Sequence, residues 1–496
     1  MSSRFPDIPG FREWNRPSRV ECDIFDLEVD GAIPADLDGT FYRCGPDPQF
    51  PPYLGEDIFL NGDGMVSMFR IADGHADFRM RYVRTEKFRA ERKARRSLFG
   101  AYRNPYTDDP LVEGMGRGTG NTNVVWHGGK LLALKEDSWP IEIDPHSLRT
   151  VGNWAFGGKL QSRTVTAHPK LDPGTGEMVF FGYAARGEAT PDIAFLVADS
   201  RGTLTREDWF LPPYASMVHD FAVTSEHIIF PVFPTTSDPD RLKAGGPHWV
   251  WDGSKPTFVG IMPRDGEVKD MRWFEGPACF SYHIINAFSE GQQVTVDLCQ
   301  SEVQPFSFFP DISGKPYDMR KGASQPMRWV FDLSSQDDSY LQTPLAAGSG
   351  GMPSLNEMPR IDDRYQTLPY RYGFLGGIDV TRPPTPEAGP VGGGFTHLAQ
   401  LDVHTGQQDR YYPGDNSSIQ EPQFVPRSAG APEGDGYLLA VVNRFREGRS
   451  DLVVLDTQRL ADGPVATIGV PLRLRPAFHG NWVPESGLPE PGEWDW

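Results

Sequence analysis

One device recurs along the chain: a short apolar strand, a turn opened by aspartate, then a second strand. It stands in "FRIADGHADFRMRYV" at Asp73, "IEIDPHSLRTVG" at Asp144, "FLVADSRGTLT" at Asp199 and "VGIMPRDGEVKDMRWF" at Asp265. It returns in "WVFDLSSQDDSY" at Asp332, "LAQLDVHTGQQDRYY" at Asp402 and "LVVLDTQRL" at Asp456. Successive aspartates lie 71, 55, 66, 67, 70 and 54 residues apart. Aspartate suits these turns because its carboxylate can bond the backbone of the turn it opens. Hairpins repeating this evenly are hard to distribute over separate domains. They predict an all-β fold, a seven-bladed β-propeller with one such hairpin in each blade. The content of 53 Gly and 46 Pro agrees with a fold rich in turns. The expectation is one propeller domain over residues 1–496, with cap insertions at about 87–115 and 344–394. Within the second, the Gly/Pro-rich stretches 344–353 and 382–394 read as long loops on one face.

The first insertion opens with "KFRAERKARR", Lys87 to Arg96, which predicts a helix with a solvated basic face. The formal net charge of -19 argues against nucleic acid as the main partner. No apolar run is long enough to span a bilayer, and "MSSRFPDIPGF" lacks the basic and apolar regions of a leader. Four cysteines (Cys22, Cys44, Cys279 and Cys299) form neither a disulfide framework nor a CxxC motif. The expectation is a cytoplasmic protein with a small-molecule partner and no membrane association.

Most of the 11 histidines fall in turns, loops or strand starts. Four share a context. His168 in "TVTAHPKLDPGTGEMVFF", His219 in "SMVHDFAVTSEHIIF" and His283 in "FSYHIINAFSEGQQVTV" each precede a turn and a strong strand. His479 lies in "AFHGNW". Their spacings are 51, 64 and 196, the last close to three blade periods, so the four point to equivalent places in different blades. Imidazoles converging on one axis would bind a borderline transition metal such as iron, copper, zinc or nickel. A metal-bound histidine usually donates its second ring N–H to a carboxylate or carbonyl. Carboxylates in otherwise apolar or Pro-rich settings are Glu136 in "LLALKEDSWP", Glu357 in "SLNEMPRID" and Glu421 in "QEPQFVPR". Each also reads as ordinary surface charge.

"FYRCGPDPQF", "FLNGDGMVSMFR", "GNTNVVWHGGKLLALKEDS", "TAHPK", "VHDFAVT", "SYHIINAF", "NEMPRID", "EPQFVPR" and "FHGNW" follow one another in this order. Together they resemble the carotenoid cleavage oxygenase family over nearly the whole chain. The resemblance implies a seven-bladed propeller with one ferrous ion on its axis, held by His168, His219, His283 and His479. It implies Glu136, Glu357 and Glu421 as the carboxylates behind those ligands, and Thr122 near the open side of the iron. Carotenoid-cleaving members typically carry an uncharged residue, often aromatic, at the position of Lys135. Lysine there, with "AYRNPYTDDP" upstream, resembles the lignostilbene-cleaving branch. In that branch the lysine and a tyrosine, here Tyr102, hold the substrate's 4-hydroxyl. Phe59 and Phe306 would pack on its rings.

The activity so implied is cleavage of the central C=C of a 4-hydroxystilbene by O₂, giving two aromatic aldehydes. The branch also implies a homodimer. Two alternatives stand beside it: an apocarotenoid or carotenoid dioxygenase on the same scaffold, and a non-enzymatic propeller serving as an interaction platform. Strict strand alternation sends the neighbours Lys135 and Glu136 to opposite faces. Both can serve one cavity only if the strand ends or bulges there.

Overall fold

The structure is a computed structural model that describes residues 4–346, 354–382 and 394–491. Seven antiparallel sheets follow one another along the chain. Blade I joins the C-terminal strand Gly480–Pro484 to Gly39–Pro46, Gly64–Ala72 and His75–Tyr82, with Cys22–Ile24 on the far edge. Blade II is Asn123–His127, Lys130–Leu134, Ile141–Ile143 and Thr150–Asn153. Blade III is Lys170–Leu171, Met178–Tyr183, Ile193–Ala198 and Leu204–Phe210. Blade IV is Ala222–Val223, His227–Val232, Thr257–Pro263 and Arg272–Gly276. Blade V is Phe280–Glu290, Gln293–Ser301, Gln325–Asp332 and Leu341–Pro344. Blade VI is Leu355–Ile361, Tyr372–Ile378, His397–Asp402 and Gln408–Tyr411. Blade VII begins with the short strands Ser417–Ile419 and Gln423–Pro426 and continues through Gly436–Arg444, Arg449–Asp456 and Pro464–Val470. Val29–Gly31 adds to its outer edge, so both chain ends stitch the ring where blades I and VII meet. Closure of this kind removes the open sheet edges that would otherwise pair with other chains.

All seven predicted aspartates lie at the turn between the third and fourth strands of their blade. Asp144 accepts from the backbone N–H of His146 and Ser147, Asp199 from Arg201 and Thr203, and Asp402 from His404 and Thr405. Asp332 and Asp456 do the same with Ser334 and Gln458. Asp73 works differently: it and Gly74 take φ of +52° and +80°, the pair of positive angles that a two-residue hairpin turn of matching twist requires.

Each blade is covered by a neighbour on both faces, which is why a strand such as "MVFFGY", Met178–Tyr183, is apolar almost throughout and buried at every position. Phe41, Phe69 and Phe78 of blade I meet Val441, Leu452 and Ile468 of blade VII in one core. Burial of each large apolar side chain contributes about 1.5–3 kcal/mol.

Three excursions stand between strands and are tied to one another. The first contains the helix Glu86–Ala94, capped by Thr85, whose hydroxyl accepts from the Phe88 N–H. Its face is not wholly solvated as predicted: Lys87, Phe88 and Glu91 are buried, and Lys87 Nζ bonds Asp63 at 3.1 Å and Glu91 at 2.9 Å. The second excursion, within blade IV, carries the ribbon Thr235–Thr236 with Val250–Trp251. The third, within blade V, runs between Gln293–Ser301 and Gln325–Asp332 and carries Phe306, Phe308 and Phe309. Asn104 Nδ2 donates to the carbonyls of Leu242 and Gly246, and Trp251 N–H to that of Pro310. Neither of the last two excursions was anticipated. The expected insertion at 344–394 is corrected: Leu355–Ile361 and Tyr372–Ile378 are the first two strands of blade VI. Residues 347–353 and 383–393 of the expected loops lie outside the described residues.

Candidate metal centre

The first strand of every blade delivers one residue of interest, just before its start or within its first four residues. In ring order from blade II these are Thr122, His168, His219, His283, Glu357, Glu421 and His479 of blade I. The ligand atoms of the four histidines all lie within 4.8 Å of one another. His283 sits where the register of its strand slips twice, between Ser281 and Asn286, and Glu357 sits where its strand slips against the neighbour. Met358, next to it, has φ +51°. Bulges of this kind re-aim a side chain that a regular strand would send elsewhere.

Three of the four rings are fixed by carboxylates. His219 Nδ1 lies 2.5 Å from Glu136, His283 Nδ1 2.6 Å from Glu357, and His479 Nδ1 2.7 Å from Glu421. Each Nδ1–H donates, so each Nε2 keeps its lone pair for the centre. Among the described residues, the buried His283 Nε2 has no hydrogen-bond partner. His168 Nε2 and His219 Nε2 are 2.9 Å apart. Two nitrogens at right angles around one ion, each about 2.1 Å from it, would stand about 3 Å from each other. Imidazole nitrogens that converge, one of them unpartnered, fit a divalent transition metal.

Burial and the other three rings hold the His168 ring well below the usual imidazole range, so it stays neutral. Burial alone would raise the Glu136 carboxyl. The His219 ring, Arg103 and the Tyr183 hydroxyl outweigh it and hold that group below its ordinary value. Burial likewise acts against Glu421, and His479, Arg360 and the Gly480 N–H again prevail. Tyr183 was not singled out from the sequence. Its hydroxyl donates to Glu136 Oε1 at 2.6 Å and accepts from Arg103 Nη1 at 2.7 Å.

Lys135 and Glu136 do serve neighbouring places, because the strand Lys130–Leu134 ends before them. The Ser138 N–H bonds back to the Lys135 carbonyl, closing a turn. Glu136 reaches His219, while Lys135, only 3% exposed, pairs through Nζ with Asp137 Oδ2. Lys135 Nζ also lies 5.0 Å from the centre of the Tyr102 ring. Tyr102 is buried, and its hydroxyl makes no hydrogen bond among the described residues. Aromatic rings connect this place to the histidines. Tyr102 neighbours Phe309, then Phe308 and Phe306 follow, and Phe306 meets Tyr282, whose ring centre is 4.9 Å from that of His219. Phe59 packs edge-on against Phe478, next to His479. The Thr122 carbonyl accepts the His479 N–H at 3.2 Å and its hydroxyl donates to Asn121.

A cavity of about 220 Å³ opens on His168, His283 and His479. Its walls include Asn123, Lys170, Asp220, Arg360 and Asn481, and none of Lys135, Tyr102, Phe59 or Phe306.

Known proteins resemble this chain in sequence and fold. The profile of the retinal pigment epithelial membrane protein family matches residues 15–484. The chain belongs to that family, the carotenoid cleavage oxygenases. Within the family it is 47% identical to isoeugenol monooxygenase of Pseudomonas nitroreducens, over 94% of this chain and 96% of that protein. It is 46% identical to lignostilbene-alpha,beta-dioxygenase isozyme III of Sphingomonas paucimobilis, over 98% of this chain and 99% of that protein. The crystal structure of Pseudomonas brassicacearum lignostilbene dioxygenase superposes with a TM-score of 0.94 at 45% identity, covering 97% of this chain and all of that one. A relative named for isoeugenol was not among the readings drawn from the sequence. Among the described residues, no helix is long and apolar enough to cross a membrane.

Proposed function

We propose that this protein is a non-haem Fe(II) oxygenase that cleaves the central C=C of 4-hydroxystilbenes with O₂, giving two aromatic aldehydes. His168, His219, His283 and His479 would hold the ion, with Glu136, Glu357 and Glu421 orienting three of the rings. Bound there, Fe(II) supplies the chemistry that activates O₂ towards an alkene. The protein supplies position and electrostatics. Lys135 and Tyr102 receive the phenol end, and Phe306 with Tyr282 forms an aromatic wall between that end and the histidines. Phe59 would flank the other ring. The observation that carries this reading is the buried Lys135, with donors to spare, at one end of an aromatic path whose other end is the four-histidine cluster.

A carotenoid tunnel has no use for this end. The buried charges of Lys135, Asp137 and Arg103 would be costly next to a hydrocarbon chain. The likeness to isoeugenol monooxygenase favours a second substrate of the same kind, since isoeugenol is also a phenol conjugated to an alkene. Iron-loaded protein assayed in air with trans-4-hydroxystilbene, isoeugenol and an apocarotenoid, side by side, decides among these. Aldehydes from the stilbene support the proposal. Cleavage of isoeugenol alone moves the substrate to the smaller phenol, and cleavage of the apocarotenoid alone removes the phenol reading altogether. A chain that retains no metal and cleaves none of them is the interaction platform instead. The same reading expects a homodimer in a cytoplasmic setting. Light scattering in solution tests the dimer.

A further inference from the structure

Lys135 cannot act here as an isolated cation. Its partner Asp137 has a side chain only 5% exposed, and Asp137 Oδ1 is buried without a hydrogen-bond partner among the described residues. At the proposed phenol end a carboxylate lone pair on Asp137 and spare N–H groups on Lys135 therefore stand open beside the Tyr102 ring. Leaving a buried acceptor unpaired costs about 1–3 kcal/mol, more when it is charged. Lys135 Nζ, which pairs with Asp137, lies 5.0 Å from the centre of the Tyr102 ring, so the pair stands beside that cap residue. The charges around it balance in pairs: Lys135 with Asp137, and Arg103 with Glu188 at 3.2 Å. Glu136 is engaged by His219 and Tyr183. A phenolate would add one uncompensated negative charge to this set. A neutral phenol would add none, and its O–H is the donor that Asp137 Oδ1 lacks.

We infer that Asp137 receives the substrate's phenolic O–H and that the site binds the neutral phenol, whose oxygen accepts in turn from Lys135 and Tyr102. This rests on the phenolic-alkene reading above and deepens it, by adding a carboxylate that accepts the phenol O–H. It also gives the proton a destination. When the conjugated system gives electrons to O₂, the phenol O–H bond breaks, the proton bonds to Asp137 Oδ1, and the O–H electron pair stays on the phenol oxygen. The proton returns when the phenol of the aldehyde product re-forms.

The test is the absorption spectrum of trans-4-hydroxystilbene bound to the iron-loaded protein without O₂, titrated with pH. A free phenol ionises near about pH 10. In the wild type the bound ligand is expected to show no phenolate band at neutral pH. In Asp137→Asn the charge of Lys135 loses its partner, and the bound ligand should ionise about 1–3 pH units lower than in wild type. A phenolate band at neutral pH in the wild type overturns the inference, as does an unchanged titration in Asp137→Asn. If that variant does not fold, Lys135→Met/Asp137→Asn removes the buried pair together and takes its place. There the preference for 4-hydroxy- over 4-methoxystilbene in Kd should fall by about 10- to 100-fold. A preserved preference overturns the inference. Wild-type protein that binds and cleaves the stilbene yet fails the spectral test sinks this inference alone, whereas failure to bind the stilbene sinks the functional reading with it.

Discussion

Three consecutive residues with buried side chains, Lys135, Glu136 and Asp137, stand at the two ends of the proposed site, and the two ends are built differently. At the metal end the carboxylates behind His219 and His479 are bonded through both oxygens, and of the third only Glu357 Oε1 is left open. Glu136 takes His219 on one oxygen and Tyr183 on the other, and Glu421 takes His479 and the Gly480 N–H. At the proposed phenol end Asp137 Oδ1 is left open. A metal centre needs rigid, pre-aimed lone pairs. A substrate pocket needs groups that become satisfied only when the substrate arrives, because those groups then reject analogues that cannot pair with them. The two ends should therefore fail independently.

The largest effect is expected from the metal end. Replacing His168, His219, His283 or His479 by Ala should abolish turnover and lower bound iron, measured by elemental analysis. His127→Ala and His404→Ala should do neither. His127 bonds the Gly176 carbonyl at a hairpin and His404 is an exposed turn residue. Full iron and full activity in His283→Ala would end the four-histidine description.

Next comes Lys135→Met, which should sharply reduce cleavage of a 4-hydroxystilbene while leaving iron content unchanged. It also strands Asp137 without its buried partner, a loss that can cost about 3–5 kcal/mol, so the melting temperature should fall. Comparing two substrates on the same variant cancels that cost. A 4-methoxystilbene should be a poor substrate for wild type and nearly indifferent to the substitution. Equal wild-type to variant ratios for the two substrates would mean that Lys135 supports folding or iron rather than the phenol.

The metal end was the more legible of the two in the sequence, and the reason is geometric. A propeller repeats one position per blade, so the histidines share a local pattern, and the 196-residue gap between His283 and His479 marks blades VI and VII, which supply Glu357 and Glu421 instead. The seven turn aspartates were readable for the same reason. The phenol end has no such repeat. Tyr102, Phe306 and Arg103 come from excursions whose contacts are set by tertiary packing, so only the resemblance pointed to the first two, and nothing pointed to Arg103. Asp137 ends the apolar run of "LLALKEDSWP", where a charge usually meets water. Its burial depends on the cap that closes over it, which no local pattern announces. The expected insertion at 344–394 failed because Gly and Pro flanking "SLNEMPRID" outweighed a strand that bulges at Glu357.

A smaller effect should follow at the metal end from Glu136→Gln, Glu357→Gln and Glu421→Gln, each weakening iron binding or turnover on the order of 10–100-fold. Glu136 is the most informative, because it lies between the two ends. If its loss acts through His219, iron affinity should fall and the 4-hydroxy to 4-methoxy preference should stay as in wild type. A changed preference with unchanged iron would place Glu136 with the substrate instead, and three wild-type variants would leave these carboxylates as ordinary buried charges.

The smallest effect is expected from Tyr102→Phe. The hydroxyl is one neutral partner among three, and a neutral hydrogen bond contributes about 0.5–1.5 kcal/mol, which converts to a change of about 2- to 13-fold. Burial, together with Glu136, holds the Tyr102 hydroxyl well above the usual phenol range, so it remains protonated and can donate to the substrate oxygen. The ring that faces Lys135 and Phe309 is retained in the variant, so the cap should pack as before and the melting temperature should not move. Turnover of the 4-hydroxystilbene should fall modestly, with iron unchanged and the 4-methoxy substrate less affected than the 4-hydroxy one. A drop as deep as that of Lys135→Met would break the ranking of charged over neutral partners. Tyr102, rather than the Lys135–Asp137 pair, would then be the group that reads the phenol.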